Sequence, residues 1–166
     1  MDGETFQLVK QLERRIGKLE SQIVRQRFSG ARVYNSGNIT LSTGSGVNLT
    51  FDSERWDSDA YHDTSSNTDR LVIPIDGVYR ITGNVAFNTN ATGYRQLVFS
   101  LNDSITIAAK RQSAISGIST IMDLTAEYQM VAGDYVVLRA LQNSGGNLDV
   151  VAAGNYSPEF SIALLG

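Results

Sequence analysis

Residues 77–88, GVYRITGNVAFN, alternate: Tyr79, Ile81, Val85 and Phe87 fall on one side of an extended chain, and Arg80, Thr82 and Asn84 fall on the other. Successive side chains of a strand point to opposite faces, so a period of two with one apolar side is the pattern of a half-buried β-strand. The same reading extends outward from this segment. Residues 94–103 (YRQLVFSLND) put Leu97, Phe99 and Leu101 on one side, and residues 118–128 (ISTIMDLTAEY) alternate through Met122, Leu124 and Ala126. Residues 133–143 (GDYVVLRALQN) and 159–166 (EFSIALLG) add two more strands. Turn formers separate them: Asn102-Asp103, Ala132-Gly133-Asp134 and Asn143-Ser144-Gly145-Gly146. No segment of helical period interrupts the series, so the body reads as an all-β antiparallel sandwich or jelly roll and not as a parallel α/β sheet.

Upstream of residue 30 the period changes. Val9, Leu12, Ile16, Leu19 and Ile23 recur at intervals of three and four, with no proline and one glycine between Thr5 and Arg27. Valine and isoleucine at heptad position a, leucine at d, and Glu13, Arg15, Glu20 and Gln22 at the flanking positions describe a coiled-coil seam. Three heptads give a stalk of about 35 Å. The expected organisation is a stalk over residues 1–29 and a β head over residues 30–166.

Composition removes several classes of function. The 166 residues contain no cysteine, which excludes disulfide frameworks, zinc–thiolate centres and thiol nucleophiles. The chain carries a net charge of −3, with six Lys/Arg against four Asp/Glu in residues 1–30, leaving eight against thirteen in the body. An acidic body lacks the cationic footprint that nucleic acid requires, so that partner is set aside. No apolar run approaches the length of a membrane span, and the opening residues MDGETFQ do not read as a signal peptide, so a soluble protein made in the cytoplasm is expected.

GDYVVLRAL and FSIALLG are apolar on both faces, whereas an antiparallel sandwich normally wets one. Either these strands are central in the sandwich or a second copy of the chain covers them, and together with the coiled coil an oligomer is favoured.

These residues also carry a family resemblance. Gly77-Val78-Tyr79-Arg80-Ile81, then Gly133-Asp134-Tyr135-Val136-Val137-Leu138, then the ending Ser157-Pro158-Glu159-Phe160-Ser161-Ile162-Ala163-Leu164-Leu165-Gly166 resemble the C1q-like and tumour-necrosis-factor-like jelly-roll family. The resemblance implies a ten-stranded type of jelly roll assembled as a homotrimer. It places Tyr79, Tyr135, Val137, Phe160, Ile162 and Leu164 in the core or at the three-fold axis, with Val9, Leu12, Ile16, Leu19 and Ile23 forming the stalk seam. Ala163 departs from the family, which commonly has glycine there, and a coiled coil replaces the usual collagen stalk. The seam by itself favours two strands; the larger apolar area of the head is expected to decide for three. The wording of FDSERWDSDAYHD, NATGYRQL, QNSGGNLDVV and GNYSPEF is similar to C1q-like proteins of bacteria and their phages, which implies a virion or cell-surface component.

One stretch invites a chemical reading. Residues 55–63, RWDSDAYHD, hold the single tryptophan (Trp56), the single histidine (His62) and Asp57, Asp59 and Asp63. Catalysis would need a nucleophile beside His62, and the glycine-rich STGSGV lacks the G-x-S-x-G order. A calcium reading rests on the hard oxygen ligands of Asp52, Glu54, Asp57, Asp59 and Asp63, and the resemblance implies calcium near the apex of some members; D-x-D-A-Y-H-D, however, lacks the third ligand and the glycine of an EF-hand loop. The favoured reading is architectural: Trp56 and Tyr61 anchor a long loop whose aspartates make turns with their own backbone. No cofactor is expected.

Asn90, Tyr94 and Arg95 in one loop, and Asn143 and Asn147 in another, are the candidate ligand contacts, suited to hydrogen-bond and stack on a host surface glycan. Sequons such as Asn48-Leu49-Thr50 matter only on a eukaryotic secretory route, for which no signal is visible. The expectation is a non-enzymatic homotrimer of a phage virion, a capsid decoration or cement protein or a short fibre head, located in the virion and contacting a capsid or other virion protein. The alternatives are a glycan-reading receptor-binding module and a bacterial cell-surface adhesive protein.

Overall fold

The structure, a computed structural model, describes residues 3–25 and 28–166, with the side chains of residues 20–25 outside the description. One helix, α1 (Gly3–Arg25), precedes twelve strands: β1 (Gly30–Tyr34), β2 (Ile39–Leu41), β3 (Val47–Asn48), β4 (Ser53–Asp57), β5 (Arg70–Val72), β6 (Gly77–Phe87), β7 (Tyr94–Leu101), β8 (Ile105–Ser113), β9 (Thr120–Met130), β10 (Tyr135–Gln142), β11 (Leu148–Val150) and β12 (Glu159–Leu164). They form two antiparallel sheets. The seven-stranded sheet runs β2-β11-β6-β12-β1-β4 with β9 on the other side of β6, and the five-stranded sheet runs β3-β10-β7-β8 with β5 also on β10.

The alternation read from the sequence sets which faces meet. Tyr79, Ile81, Val85 and Phe87 of β6 are buried, as are Leu97, Phe99 and Leu101 of β7 and Met122 and Leu124 of β9. Phe160 lies at the centre of the core, 5.9 Å from the Phe99 ring and 5.5 Å from the Phe51 ring. Gly83 faces the same core, where a Cβ would sit 2.8 Å from Leu138 Cδ2, so the two sheets approach across a position only glycine fills. At the β7–β8 turn Asn102 (φ 50°) and Asp103 (φ 54°) are both left-handed, the conformation short polar side chains tolerate in a tight hairpin.

Tyr79, Phe160 and Ile162 belong to the core of their own chain, and Leu164, partly buried, packs against it. Tyr135 and Val137 do not: they lie on the outward face of the five-stranded sheet, because β10 sends Val136, Leu138 and Ala140 inward. Val137 is nonetheless wholly buried within the single chain, so of the two alternatives for this strand's second apolar face, its burial at Val137 needs no second copy. Its neighbours on that face supply the cover. Arg70 stacks on the Tyr135 ring at 4.2 Å, Tyr135 Oη donates to Asp103 Oδ2 at 3.1 Å, and Arg139 donates to Asn48 Oδ1 at 2.9 Å.

The helix carries its apolar stripe uncovered. Val9 (40%), Leu12 (47%), Ile16 (52%) and Leu19 (56%) are exposed. Ile23 belongs to α1 by its backbone, and its side chain lies outside the described residues.

Candidate functional site

The loop after β4 holds the residues that suggested chemistry, and each carboxylate takes up donors of that loop or its neighbours. Asp57 accepts the backbone N–H groups of Asp59 (3.2 Å), Tyr61 (3.1 Å) and His62 (2.9 Å). Asp59 accepts the Ser29 hydroxyl at 2.7 Å, and Asp63 accepts the Ser65 hydroxyl (2.7 Å) and the Ser65 and Ser66 amides. Those bonds, the Ser65 hydroxyl first, hold the Asp63 carboxyl below the usual carboxylate range. The His62 ring is buried between Glu54 Oε1 (3.1 Å from Nδ1) and the Thr68 carbonyl (3.3 Å from Nε2), with no nucleophile among these contacts.

Tyr61 is the anchor of this loop: its ring is buried edge-on to Tyr79 at 6.2 Å and its hydroxyl lies 2.7 Å from Ser29 Oγ. The loop also ties into the start of β1, with Ser58 N–H donating to the Gly30 carbonyl at 3.0 Å and Gly30 N–H to Ser58 Oγ at 2.9 Å. It therefore lies at the end of the sandwich where β1 begins and not at the opposite, apical end where the resemblance implies calcium. Among the described residues no group of three His, Asp or Glu side chains is placed to hold a metal ion, and the donor set of Asp57, Asp59 and Asp63 does not fit one.

At the apex the structure brings the two candidate ligand loops together. Tyr94 N–H donates to Asn143 Oδ1 at 2.5 Å, and Gly93, at a left-handed φ of 72°, has no room for a Cβ, which would collide with that same oxygen. Asn90 accepts the Thr92 N–H at 2.8 Å through Oδ1, Tyr94 is half-buried beneath the Arg111 guanidinium at 4.3 Å, and Asn147 is exposed. Arg95 is not a ligand contact. It is completely buried, and its guanidinium donates to the carbonyls of Asn90 (2.9 Å), Thr92 (3.0 Å) and Tyr94 (3.0 Å). A signal for this was present: Arg95 stands two residues before Leu97, on the inward side of β7.

The surface feature that sequence reasoning missed is a trough on the outward face of the seven-stranded sheet. Strand β12 turns Ser161 and Ala163 outward, and these small side chains make a floor between taller walls. Phe28, Arg32 and Trp56 stand on one side and Arg80, Thr82 and Asn84 on the other, around a cavity of about 330 Å³. Trp56 does not anchor the loop; it is 39% exposed and meets Phe28 edge-on at 4.9 Å. Beneath the wall, buried Glu159 accepts Arg32 Nε at 2.6 Å and Arg55 Nη2 at 3.0 Å, and Arg55 stacks on Tyr34 at 3.8 Å. Arg80 pairs with Glu127 of β9 at 2.7 Å. Aromatic edges, guanidinium groups and hydroxyls over a flat floor suit a complementary protein surface.

No family model and no curated protein matches the chain. Among solved structures it is similar to Eiger, a TNF from S. frugiperda, at 18% identity and a TM-score of 0.63, over 85% of this chain and 94% of that one. It is also similar to murine APRIL in the crystal structure at pH 5.0, at 11% identity and a TM-score of 0.64, over 84% of this chain and all (100%) of that one. The fold is a TNF-like jelly roll.

Proposed function

We propose that this protein is a non-enzymatic homotrimer that serves as a structural component of a phage virion, as a capsid decoration or cement subunit or the head of a short fibre. The observation that carries the reading is uncovered apolar surface in two places on one chain: the heptad stripe of α1, and the walls of the trough, where Phe28 and Trp56 are 56% and 39% exposed. A coiled coil of copies closes the first and contact between heads closes the second, so that symmetry multiplies weak contacts with a larger surface into avidity. The virion setting rests on the resemblance read in FDSERWDSDAYHD and QNSGGNLDVV from the sequence alone.

Light scattering tests the assembly: the reading expects three times the chain mass of 18.1 kDa, unchanged by chelator, and retained by a head starting at Phe28. A dimer or monomer overturns it. Immunogold labelling of intact phage particles with an antibody to the head tests the setting, with labelled particles expected and unlabelled particles against it. A glycan array covers the rival reading, which the burial of Arg95 leaves with fewer polar contacts.

A further inference from the structure

The side of α1 away from the seam carries charge of one sign. From residue 7 to residue 18 that side consists of Gln7, Lys10, Gln11, Arg14, Gly17 and Lys18, all exposed. Lys10, Arg14 and Lys18 follow one another at intervals of four, about 6 Å apart along the axis, while Glu13 lies on the flank beside the seam. Like charges at that interval repel and weaken a helix, and a solvated face normally mixes the two signs. The flanks bring little relief. Four residues after Glu4 and Glu13, where a cation stabilises a helix, stand Leu8 and Gly17; Lys10 leans over the Phe6 ring at 4.8 Å, and Arg14 has no carboxylate partner among the described residues. The head treats its cations differently. Of the eight Lys and Arg in residues 31–166, six (Arg32, Arg55, Arg70, Arg80, Lys110 and Arg139) pair with head carboxylates at 2.6–3.4 Å. A short stalk thus carries a stripe that costs it stability, beside a head that neutralises most of its own cations.

We infer that this stripe is the attachment surface of the stalk, and that its partner is a protein with an acidic collar whose carboxylates surround the coil. The inference rests on the trimer proposed above and gives its stalk a partner. In a coil the seam faces the axis, so the stripes of three helices point outward on three sides. A bilayer or a nucleic-acid duplex, being flat or rod-like, meets one stripe at a time; a collar meets Lys10, Arg14 and Lys18 of all three helices together, and the repeated contact multiplies a weak one. A bilayer is further disfavoured because the apolar residues Val9, Leu12, Ile16 and Leu19 are turned to the seam, and none stands among the cations to insert. The attachment is directional. Residues 31–166 hold thirteen Asp and Glu against eight Lys and Arg, so the head repels the surface that draws in the stalk.

Poly-L-glutamate, a carboxylate chain flexible enough to wrap three stripes, is the probe for the full-length protein, beside a DNA duplex and phosphatidylserine vesicles. Binding of poly-L-glutamate is expected at low salt, with an affinity that falls as salt rises. The triple change Lys10→Gln, Arg14→Gln and Lys18→Gln is expected to weaken that binding at least about tenfold. It should also raise the thermal stability of the helix, followed by circular dichroism, because the repulsion is gone, and leave the trimer intact by light scattering, because no seam residue changes. Unchanged binding in the triple variant overturns the inference, as does tighter binding of the duplex or the vesicles than of poly-L-glutamate. Salt-reversible growth of the wild type beyond the trimer also overturns it, by making the acidic head of another copy the occupant. A trimer that ignores poly-L-glutamate removes the collar and leaves the assembly standing, whereas a wild-type chain that is not trimeric removes the assembly and the three-sided stripe with it.

Discussion

The two outward faces of the sandwich close in opposite ways. On the five-stranded sheet β10 presents Tyr135, Val137, Arg139 and Leu141, and Val137 is fully buried within the chain, opposite Arg70 of β5 in the strand register. Arg70, Arg139 and Tyr135 cover apolar surface with their stems and rings while their polar ends join Asp69, Asp103 and Asn48. On the seven-stranded sheet β12 presents Ser161 and Ala163, which cover nothing, and Trp56 stands exposed beside them. Both strands read as apolar on two faces. The difference teaches that two-sided apolarity does not identify an interface; what identifies one is whether neighbouring side chains are long enough to close the surface themselves.

Phe160→Ala breaks the comparison altogether, because it removes the ring both sheets share; a loss of about 3–5 kcal/mol is expected in chemical denaturation. Glu159→Gln acts on the seven-stranded face alone. It takes the carboxylate from Arg32 and Arg55, and a loss of about 2 kcal/mol is expected, with Arg32 no longer held in the trough wall. Val137→Ala sharpens the opposite side: about 1–2 kcal/mol is expected from the lost methyl groups. That cost should be the same at low and high protein concentration, because the cover is intramolecular; a concentration-dependent cost would place a second copy over β10.

The smallest effect is electrostatic. Asn48 above all, with Tyr135 and Arg139, holds the Asp103 carboxyl below its ordinary range against the opposing effect of desolvation. A pKa lowered in the folded state means stability that is present above the unfolded value and lost as pH falls through the folded one. Acid titration of stability below about pH 4 should therefore be shallower in Asp103→Asn than in the wild type. The difference should stay under about 1 kcal/mol, because a side chain 36% exposed is screened by solvent.

Much of the fold was legible because its long strands repeat their period several times. β6, β7 and β9 each alternate over eight or more residues, and the turns at Asn102-Asp103 and Gly133 fall where their chemistry places them. β2, β3, β5 and β11 span two or three residues, too few for any period to show. The aspartates of the β4–β5 loop were legible as turn chemistry. Trp56 was not legible as a trough wall, since its exposure depends on β12 placing Ser161 and Ala163 beside it, and that pairing joins residues more than a hundred positions apart. Arg95 misled for a different reason: charge suggested the surface, while the alternation it continues pointed inward, where three backbone carbonyls accept from its guanidinium.

The position of β12 also bears on how the protein is made. This strand sits between β6 and β1 in the middle of the seven-stranded sheet, yet it is the last of the twelve to be synthesised. Until residues 159–164 leave the ribosome, β1 and β6 each present an unpaired edge, and Glu159 is not there to receive Arg32 and Arg55. Completion of the head thus waits for residues 159–164, and a chain stalled or cut before Glu159 carries two open edges into a crowded cell, where edge-to-edge association competes with folding.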